Sequence, residues 1–436
     1  MKGLPAAIPV LPVLRNLYLA RSRERLDPVR LRAVQDRLLA GLVRHAHARV
    51  PHYRRTLPSG AVTALSGVAG LAGLPILDRT TLRDLPAHDL LAEGFTPDNT
   101  REAPTSGSSG VPVRLFYSER DLGYLRATYL QDLLASGLRP WDRIGYFRVG
   151  GFRRHRLQRL GLARTVHVNT SLGLDEQVEA FLAGRPTFLW GFPGSIATLV
   201  DELRRRKVVY RGVHTVVFAG ETLTREARDH VLGYFGARGH EVYASVEAYT
   251  IARTCPAGSL HLRSADVAVE VLHDDGGVSV ADGEGEILVT RLHAEAMPLI
   301  RYRLGDRVLI EPDDCRCRVL RTPIVRRIQG RAEDLIVAAD GRSVHADFLT
   351  NPRVLPTAGV RRLQILQHRP GAVEILLVPA PSAPADLAGT VRAAVAAVAR
   401  GFEVTARTVE AITPEPNGKV RLVKTLRPAA QEPDEP

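Results

Sequence analysis

The chain has 436 residues, more than a single hydrophobic core normally organises, so we expect one large domain and at least one smaller one. Its net charge of +12 comes mainly from arginines spread along the whole sequence with few aromatic residues between them, a pattern that does not favour a nucleic-acid surface. The charge suits an anionic substrate instead, such as a nucleotide or a CoA thioester. No segment is long and apolar enough to cross a bilayer, so we expect no membrane role. We expect the protein to be cytoplasmic.

The first clear pattern along the chain is helical. Leucines and valines recur every three to four residues over 27–50, which predicts an amphipathic helix. From about residue 105 to residue 289, amphipathic helices alternate with short strand-like runs, namely RIGYFRV, TVHVN, PTFLWGF, VHTVVFAG and GHEVYAS. This alternation predicts an α/β domain with parallel strands. From Val267 the pattern becomes β-rich, with a turn at Gly276-Gly277.

The pattern changes again near Gly330. The residues beyond it predict a compact α+β unit. This unit has two strands around a Pro-Gly turn, a helix over PADLAGTVRAAVAAVAR and a further strand over GFEVTARTVEAI. The predicted fold class is therefore α/β, with a large N-terminal domain of mixed and parallel sheets flanked by helices and a small α+β C-terminal domain. We predict a core at 1–332 with a β-rich segment at 255–320, a mobile C-terminal domain at 333–426, and a disordered tail at 427–436.

The three cysteines of the chain fall into two places. Cys255 precedes His261 by six residues, and Cys315 and Cys317 form a CRC pair. Three thiolates and one imidazole complete the tetrahedral ligand set of a structural zinc site and leave no position for water. The alternative is three buried cysteines that bind no metal. A disulfide is not expected in the cytoplasm.

A Ser/Gly loop, TSGSSG at 105–110, runs directly into an alternating strand that ends at Ser118. Glycines let the backbone approach an anion, while N–H and hydroxyl groups supply hydrogen-bond donors, so the loop is a candidate phosphate cradle. Taken alone it is equally compatible with a flexible linker.

Five further motifs follow the loop in order: FAGETLT (218–224), YASVEA (243–248), PLIRYRLGDRV (298–308), IQGRAEDLI (328–336) and NGKVRL (417–422). Together with the loop, they resemble the adenylate-forming enzymes, and within these the phenylacetate–CoA ligase family with its CapK-like relatives. The likeness runs over nearly the whole chain. In this family the CP…H…CxC arrangement recurs as a zinc clip, so the resemblance also favours zinc at the cysteine cluster.

The resemblance implies a nucleotide site. The residues that would wrap the β- and γ-phosphates of ATP are Thr105, Ser106, Gly107, Ser108, Ser109 and Gly110. The residues that would line the adenine and ribose pocket are Gly220, Glu221 and Thr222. Tyr243 would stack on the base, Asp306 would accept both ribose hydroxyls, and Arg331 would help to fix the ribose.

The resemblance also implies the reaction, in which ATP activates a carboxylic acid as an acyl-adenylate and a thiol then takes the acyl group. Glu247 would hold Mg²⁺ against the phosphates, and Lys419 would approach the α-phosphate and the carboxylate. Glu333 would be the pivot about which the C-terminal domain rotates between the two half-reactions.

The acid and the acceptor are less closely defined by the sequence. Trp190, Phe192 and Tyr249 would make the acyl pocket apolar or aromatic, which allows aryl, arylacetic and modest aliphatic acids; aromatic residues after a strand are equally often core. The thiol belongs either to CoA, the expected co-substrate, or to the phosphopantetheine arm of a carrier protein. An amine or hydroxyl acceptor is a further alternative, and a homodimer is a candidate assembly.

Four positions bear on how active the enzyme is. Val111 stands where lysine is common in the family, and Arg114 is a candidate to supply the missing charge. Val246 stands where the family prefers a hydroxyl, and Ala244 replaces a usual glycine. Val111 and Val246 keep open a non-catalytic relative that acts as a binding protein, but the presence of Glu247, Asp306 and Lys419 favours an enzyme.

Overall fold

The computed structural model describes residues 10–104, 113–148, 161, 164–170, 172–221, 223–331, 335–339, 343–345, 360–380, 383–399, 402–413, 421 and 423–425. These residues form two compact units, each assembled from separated stretches of sequence. The first unit takes the chain up to Arg139 together with His240–Ile328. The second takes Pro140–Gly239 together with the chain from Gln329 onward.

The helices of the described chain are α1 (Val10–Glu24), α2 (Pro28–Arg49), α3 (Pro51–Thr56), α4 (Ser59–Ala64), α5 (Arg79–Asp84), α6 (Ala87–Leu90), α7 (Glu119–Ala135), α8 (Leu174–Gly184), α9 (Pro193–Arg205), α10 (Arg225–Phe235) and α11 (Leu387–Val398). A 3-10 helix spans Val68–Gly73. Local chemistry explains the ends of α2, the helix predicted at 27–50. The Asp27 carboxylate accepts a hydrogen bond from the Arg30 N–H at its start, and Pro51 follows its last turn.

The strands are β1 (Arg101–Pro104), β2 (Arg114–Tyr117), β3 (Arg143–Arg148), β4 (Arg164–Asn169), β5 (Phe188–Gly191), β6 (Thr215–Ala219), β7 (Arg238–Ser245), β8 (Tyr249–Thr254), β9 (Leu260–Leu262), β10 (Val267–Leu272), β11 (Val278–Val280), β12 (Gly283–Arg291), β13 (Tyr302–Glu311), β14 (Ile324–Arg331), β15 (Leu335–Val337), β16 (Ser343–His345), β17 (Val360–Arg369), β18 (Ala372–Pro379), β19 (Glu403–Thr408) and β20 (Val423–Thr425).

In the first unit the strands lie in the order β11-β10-β12-β13-β14-β9-β8-β7. The pairs β10–β11, β10–β12, β12–β13, β8–β9 and β7–β8 run antiparallel. One face of α2, with Leu39, Leu42 and Val43, belongs to the same buried cluster as Val269 and Ile287 of these strands. The helix therefore covers a sheet whose inward side chains need an apolar partner.

The second unit contains a parallel sheet in the order β6-β5-β3-β4. Its core is a cluster of valine, leucine and phenylalanine side chains from these strands and from α8, α9 and α10. The Thr224 hydroxyl caps the start of α10 by accepting from the Ala227 N–H at 3.1 Å, and Gly236 with φ +66° ends it. This is the alternating α/β region that the sequence predicts.

The C-terminal part of the second unit is a four-stranded sheet in the order β19-β18-β17-β20 with α11 packed against it. Strands β17 and β18 form the predicted hairpin, and Gly371 takes φ +76° at its turn. The predicted fold class is confirmed, since both the large α/β part and the smaller α+β part are present. The domain boundary near 332 stays a prediction.

Within the part of the chain that the structure describes, no helix is both long enough and apolar enough to span a membrane.

Candidate functional site

The motifs WGF and AGE lie at the same edge of the parallel sheet in the second unit. Strands β5 and β6 are neighbours, with Gly191 opposite Phe218, so their carboxyl ends stand side by side. Gly220 follows β6 with φ +83°, a backbone conformation that glycine adopts without strain. In parallel α/β sheets this edge is where ligands bind.

The Glu221 side chain is already positioned within this edge. Its Oε2 accepts a hydrogen bond from the Gly194 N–H in the first turn of α9 at 3.1 Å. The unpaired N–H groups and the positive end of a helix dipole favour a carboxylate there. Trp190 is buried in β5, and Phe192 immediately precedes α9, so two predicted pocket residues flank the same strand end.

In the first unit, two residues predicted to bind the nucleoside meet directly. The Tyr243 hydroxyl on β7 donates a hydrogen bond to Asp306 Oδ2 on β13 at 2.7 Å. They are 63 residues apart in sequence. A carboxylate has lone pairs for several donors, so Asp306 can hold the phenol and still serve a vicinal diol. This arrangement suits a base stacked near Tyr243 with its ribose at Asp306.

Glu247 lies in the tight turn between β7 and β8 and is 7% exposed. The Ala248 N–H donates to Ser245 Oγ at 2.9 Å, which closes the turn. On the other side of Glu247, Tyr249 takes φ +62°, an unusual backbone conformation for an aromatic residue. The carboxylate is thus presented by a backbone with little freedom to move.

Two residues near this turn were not identified from the sequence. The Tyr117 hydroxyl donates to the Val246 carbonyl at 2.5 Å, and the Arg291 guanidinium lies over the rings of Tyr117 and Tyr249. The available signal was a charged residue at the end of the otherwise apolar run ILVTR. A single arginine at the end of a strand is usually solvated, so that signal is weak without the structure.

The predicted zinc ligands Cys255, His261, Cys315 and Cys317 come together in the first unit, with all four ligand atoms within 4.8 Å of one another. Cys255 Sγ lies 3.6 Å from Cys315 Sγ, and Cys317 Sγ lies 3.8 Å from His261 Nε2. His261 Nδ1 lies 2.9 Å from the Thr322 carbonyl oxygen, which can only accept. Nδ1 therefore carries the hydrogen, and Nε2 faces the thiols as a metal ligand would.

The thiols of this cluster differ in acidity. Hydrogen bonding, from Ser259 above all, lowers the pKa of Cys315 to about 6, whereas burial raises the pKa of Cys255 to about 11. A divalent cation would favour thiolates at both. The residues present therefore fit a closed Cys₃His zinc site.

Several predicted site residues lie outside the described part of the chain: Thr105, Ser106, Gly107, Ser108, Ser109, Gly110, Val111, Thr222, Glu333 and Lys419. Arg331 is the last residue of β14. Arg114, the candidate for the charge missing at Val111, forms a bidentate pair with Glu102 across β1 and β2, with distances of 2.7 and 2.9 Å. Its guanidinium is thus bonded within its own hairpin.

Two solved structures with the same fold are described as CoA ligases. A 2-hydroxyisobutyryl-CoA ligase in the postadenylation state aligns with a TM-score of 0.75 and 17% identity, over 93% of this chain and 91% of that one. A benzoate CoA ligase from Burkholderia xenovorans LB400 aligns with a TM-score of 0.53 and 15% identity, over 76% and 69%. The fold is that of the adenylate-forming ligases.

Sequence relatives narrow this class to a family. No protein-family profile matches the chain. A phenylacetate–coenzyme A ligase from Thermus thermophilus is 30% identical over 373 residues, which cover 80% of this chain and 81% of the relative. One from Escherichia coli K12 is 26% identical over 341 residues, covering 72% and 75%. The chain belongs to the phenylacetate–CoA ligase family, as its motifs predict, and it is an enzyme of the acyl-adenylate-forming, CoA-dependent class.

Proposed function

We propose that this protein activates a small carboxylic acid with ATP as an acyl-adenylate and then transfers the acyl group to the thiol of CoA. The observation that carries the proposal is the hydrogen bond between Tyr243 and Asp306, because it joins the predicted base-stacking and ribose-binding residues in one place. Family membership supports the same reaction and the use of ATP and CoA.

The first half-reaction brings two anions together, since a carboxylate oxygen attacks the α-phosphorus as the bond to pyrophosphate breaks. Glu247 would hold the Mg²⁺ that binds the phosphates, and the Thr105–Gly110 loop would supply N–H and hydroxyl donors. The Lys419 ammonium would offset charge at the α-phosphate and the carboxylate. Positioning and electrostatics would do this work without a covalent enzyme intermediate.

In the second half-reaction the thiol sulfur bonds to the acyl carbon, the bond to AMP breaks, and the thiol proton is released. Lys419 would have to leave the site before CoA enters. We therefore propose that residues 333–426 rotate about the Glu333 region between the two steps, with Arg331 beside the pivot.

For the acid we propose an aryl or arylacetic carboxylate. Trp190 lies in β5, Phe192 directly follows that strand, and Tyr249 begins β8; each of the three contributes an aromatic ring. Relatives whose own names specify phenylacetate support this choice. We further propose that Zn²⁺ binds Cys255, His261, Cys315 and Cys317 as a structural ion, away from the chemistry, because a closed four-ligand site leaves no position for substrate.

The test is acid-dependent pyrophosphate release with ATP, Mg²⁺ and a panel containing phenylacetate, benzoate and 2-hydroxyisobutyrate. Lys419→Ala should lower the rate on the order of a hundredfold or more, as expected for loss of a cation at a developing charge. Lys424→Ala, a change at an exposed lysine of β20, is the matched control and should leave the rate near wild type.

Adding CoA should then yield the acyl-CoA thioester. Thioester formation only on a phosphopantetheinyl carrier protein would replace CoA as the acceptor while keeping the adenylation step. Measurable ATP binding without pyrophosphate release for any acid would favour a binding protein. No ATP binding would contradict the nucleotide site itself.

A further inference from the structure

Arg291, the last residue of β12, is a buried cation without a close counterion among the described residues. Its side chain is among the largest fully buried ones in the described chain, with 2% exposure. Among the described residues no carboxylate lies within 4.0 Å of its guanidinium nitrogens, although Asp121 acts on its charge from farther away. Burying a charge in this way is costly, which points to a specific role for Arg291.

Two aromatic rings take the place of the missing counterion. The guanidinium carbon lies 5.1 Å from the ring centroid of Tyr117 and 4.9 Å from that of Tyr249. The two rings are 5.7 Å apart and inclined by 31°. Attraction between the cation and two ring faces is strongest where water is excluded, as it is at this site. Arg291 thus links β2, which carries Tyr117, to β8, which begins at Tyr249.

Hydrogen bonds give the guanidinium a fixed orientation. Nη2 donates to the Met297 carbonyl at 2.8 Å, and Nη1 lies 3.5 Å from the Glu247 carbonyl. The second contact is long, so most of the restraint comes from the first one and from the rings. Nε of Arg291 and the hydroxyl of Tyr249 are buried and have no partner among the described residues, so this cluster is not optimised for stability alone.

The same cluster holds both sides of the Glu247 turn. The Tyr117 hydroxyl bonds to the Val246 carbonyl before Glu247, while Arg291 packs on the ring of Tyr249 after it. Tyr249 has φ +62° and needs such packing to keep its strained backbone in place. Burial raises the pKa of Tyr117 to about 12, so its hydroxyl remains a donor at neutral pH.

We infer that Arg291, held between Tyr117 and Tyr249, is a positioning residue that fixes the Glu247 turn for metal binding. The inference rests on the proposed role of Glu247 as the Mg²⁺ ligand. In this role Arg291 would touch neither substrate nor metal. It acts by keeping the backbone of residues 246–249 in the conformation that presents the carboxylate.

The experiment measures the Mg²⁺ concentration that gives half-maximal acid-dependent pyrophosphate release at saturating ATP. Arg291→Met keeps the length and apolar body of the side chain and removes the cation. It should raise this concentration about tenfold to a hundredfold, the usual effect of losing a group that orients a metal ligand. Arg291→Lys should fall between Met and wild type. Tyr117→Phe, a milder change, should shift the same quantity in the same direction.

The matched control is Arg253→Met. Arg253 lies on β8 with 6% exposure, and its guanidinium pairs with Glu24 at 2.7 Å. Its replacement should lower stability while leaving the Mg²⁺ requirement at the wild-type value. Binding of Mn²⁺ in the presence of ATP, followed by electron paramagnetic resonance, gives a readout that does not depend on turnover.

Glu247→Gln separates the two hypotheses. If this variant needs more Mg²⁺ but folded Arg291→Met and Tyr117→Phe behave as wild type, the inference is wrong and the role of Glu247 stands. If Glu247→Gln has the wild-type Mg²⁺ requirement, the role of Glu247 fails and the inference fails with it. If Arg291 acts through Glu247, the double variant Glu247→Gln/Arg291→Met should match Glu247→Gln alone.

Discussion

His293 has an environment that a protonated imidazole would not tolerate. It stacks on Tyr124 with ring centroids 3.8 Å apart, and the Arg23 guanidinium lies 3.0 Å from its Nε2. Burial, opposed by Asp266 and reinforced by Arg23, lowers the pKa of His293 to about 4. The folded protein therefore keeps this histidine neutral at pH values where an unfolded chain protonates it.

This difference predicts acid sensitivity. In the unfolded chain the histidine binds a proton with a pKa near 6.5, whereas in the folded protein its pKa is about 4. The stabilisation that comes from the neutral histidine is therefore fully present above pH 6.5 and is lost as the pH falls toward 4. Between pH 7 and pH 5, wild type should lose about 2 kcal/mol more of its free energy of unfolding than His293→Gln. Urea denaturation at each pH measures this.

His88→Gln provides the comparison, since His88 is exposed. It should leave the pH dependence of the wild type unchanged. Equal pH slopes for wild type and His293→Gln would contradict the expected effect of burial.

At the residue scale, the sequence allowed prediction of those site residues that lie within short, recognisable motifs. The roles of Tyr243 and Asp306 were predicted from the resemblance of their motifs to those of the family, and the structure places the two side chains in hydrogen-bonding contact. Tyr117 and Arg291 were not assigned, because the role of each depends on contacts between β2, β8 and β12, which are far apart in sequence. No local pattern records such a contact.

The Cys/His cluster joins separate elements of the first unit. Cys255 follows β8, His261 lies on β9, and the CRC pair precedes β14, which pairs with β9 at Ile324. One metal ion bound there would fix two loops and a strand of only three residues. Such a short strand contributes little pairing of its own, so the ion would have a large share in holding this region.

We predict that Cys315→Ser removes about one equivalent of zinc from protein purified without added metal. Loss of the ion should cost roughly 3 kcal/mol and lower Tm on the order of 10 °C. Elemental analysis and thermal unfolding measure the two effects. Arg316→Ala changes an exposed residue between the two ligands and should keep both zinc and Tm. Wild-type protein that contains no zinc would overturn the prediction.

At the element scale, the sequence predicted the parts whose apolar pattern has a clear period. Strands β3 to β7 and the helix α2 are found where their patterns place them. Helix α1 was not predicted, because Leu11, Leu14 and Tyr18 on it are exposed and blur its amphipathic pattern. Its position depends on contacts formed only in the folded unit, including the pairing of Glu24 with Arg253.

An ion network fixes the first unit as a whole. The Arg263 guanidinium is 3% exposed and contacts Asp266 at 2.6 Å, Asp132 at 2.8 Å and Glu24 at 3.3 Å. These carboxylates come from the chain before β10, from α7 and from α1. The Thr250 hydroxyl also donates to Asp132 at 2.7 Å. Because every partner is buried or nearly so, removing one leaves charge uncompensated in the interior.

Asp132→Asn should therefore lower the free energy of unfolding by roughly 3 kcal/mol, in the range found when one partner of a buried ion pair is removed. Denaturant unfolding measures the change. Asp229→Asn, on an exposed residue of α10 that pairs with Arg225, should change it by less than about 0.5 kcal/mol. Equal stability of the two variants would mean that the network contributes nothing.

At the scale of the molecule, the sequence predicted the class of fold and the two kinds of structural region, but not how the first unit is assembled. Leu77, for example, bonds through its N–H to the Arg301 carbonyl at 3.0 Å and through its carbonyl to the Arg303 N–H at 3.0 Å. Local periodicity cannot predict a pairing between residues more than two hundred positions apart. Only the family resemblance could have indicated it beforehand.

The split of the first unit into two stretches has a consequence for protein synthesis. Helices α1 to α7 leave the ribosome with Leu39, Leu42 and Val43 ready to be buried, yet the strands that cover them belong to His240–Ile328. At roughly 5–20 residues per second, translation from Arg139 to Ile328 takes on the order of 10–40 s. Until then the apolar face of α2 lacks the strands that cover it in the folded unit, so we expect the nascent chain to benefit from a ribosome-bound chaperone.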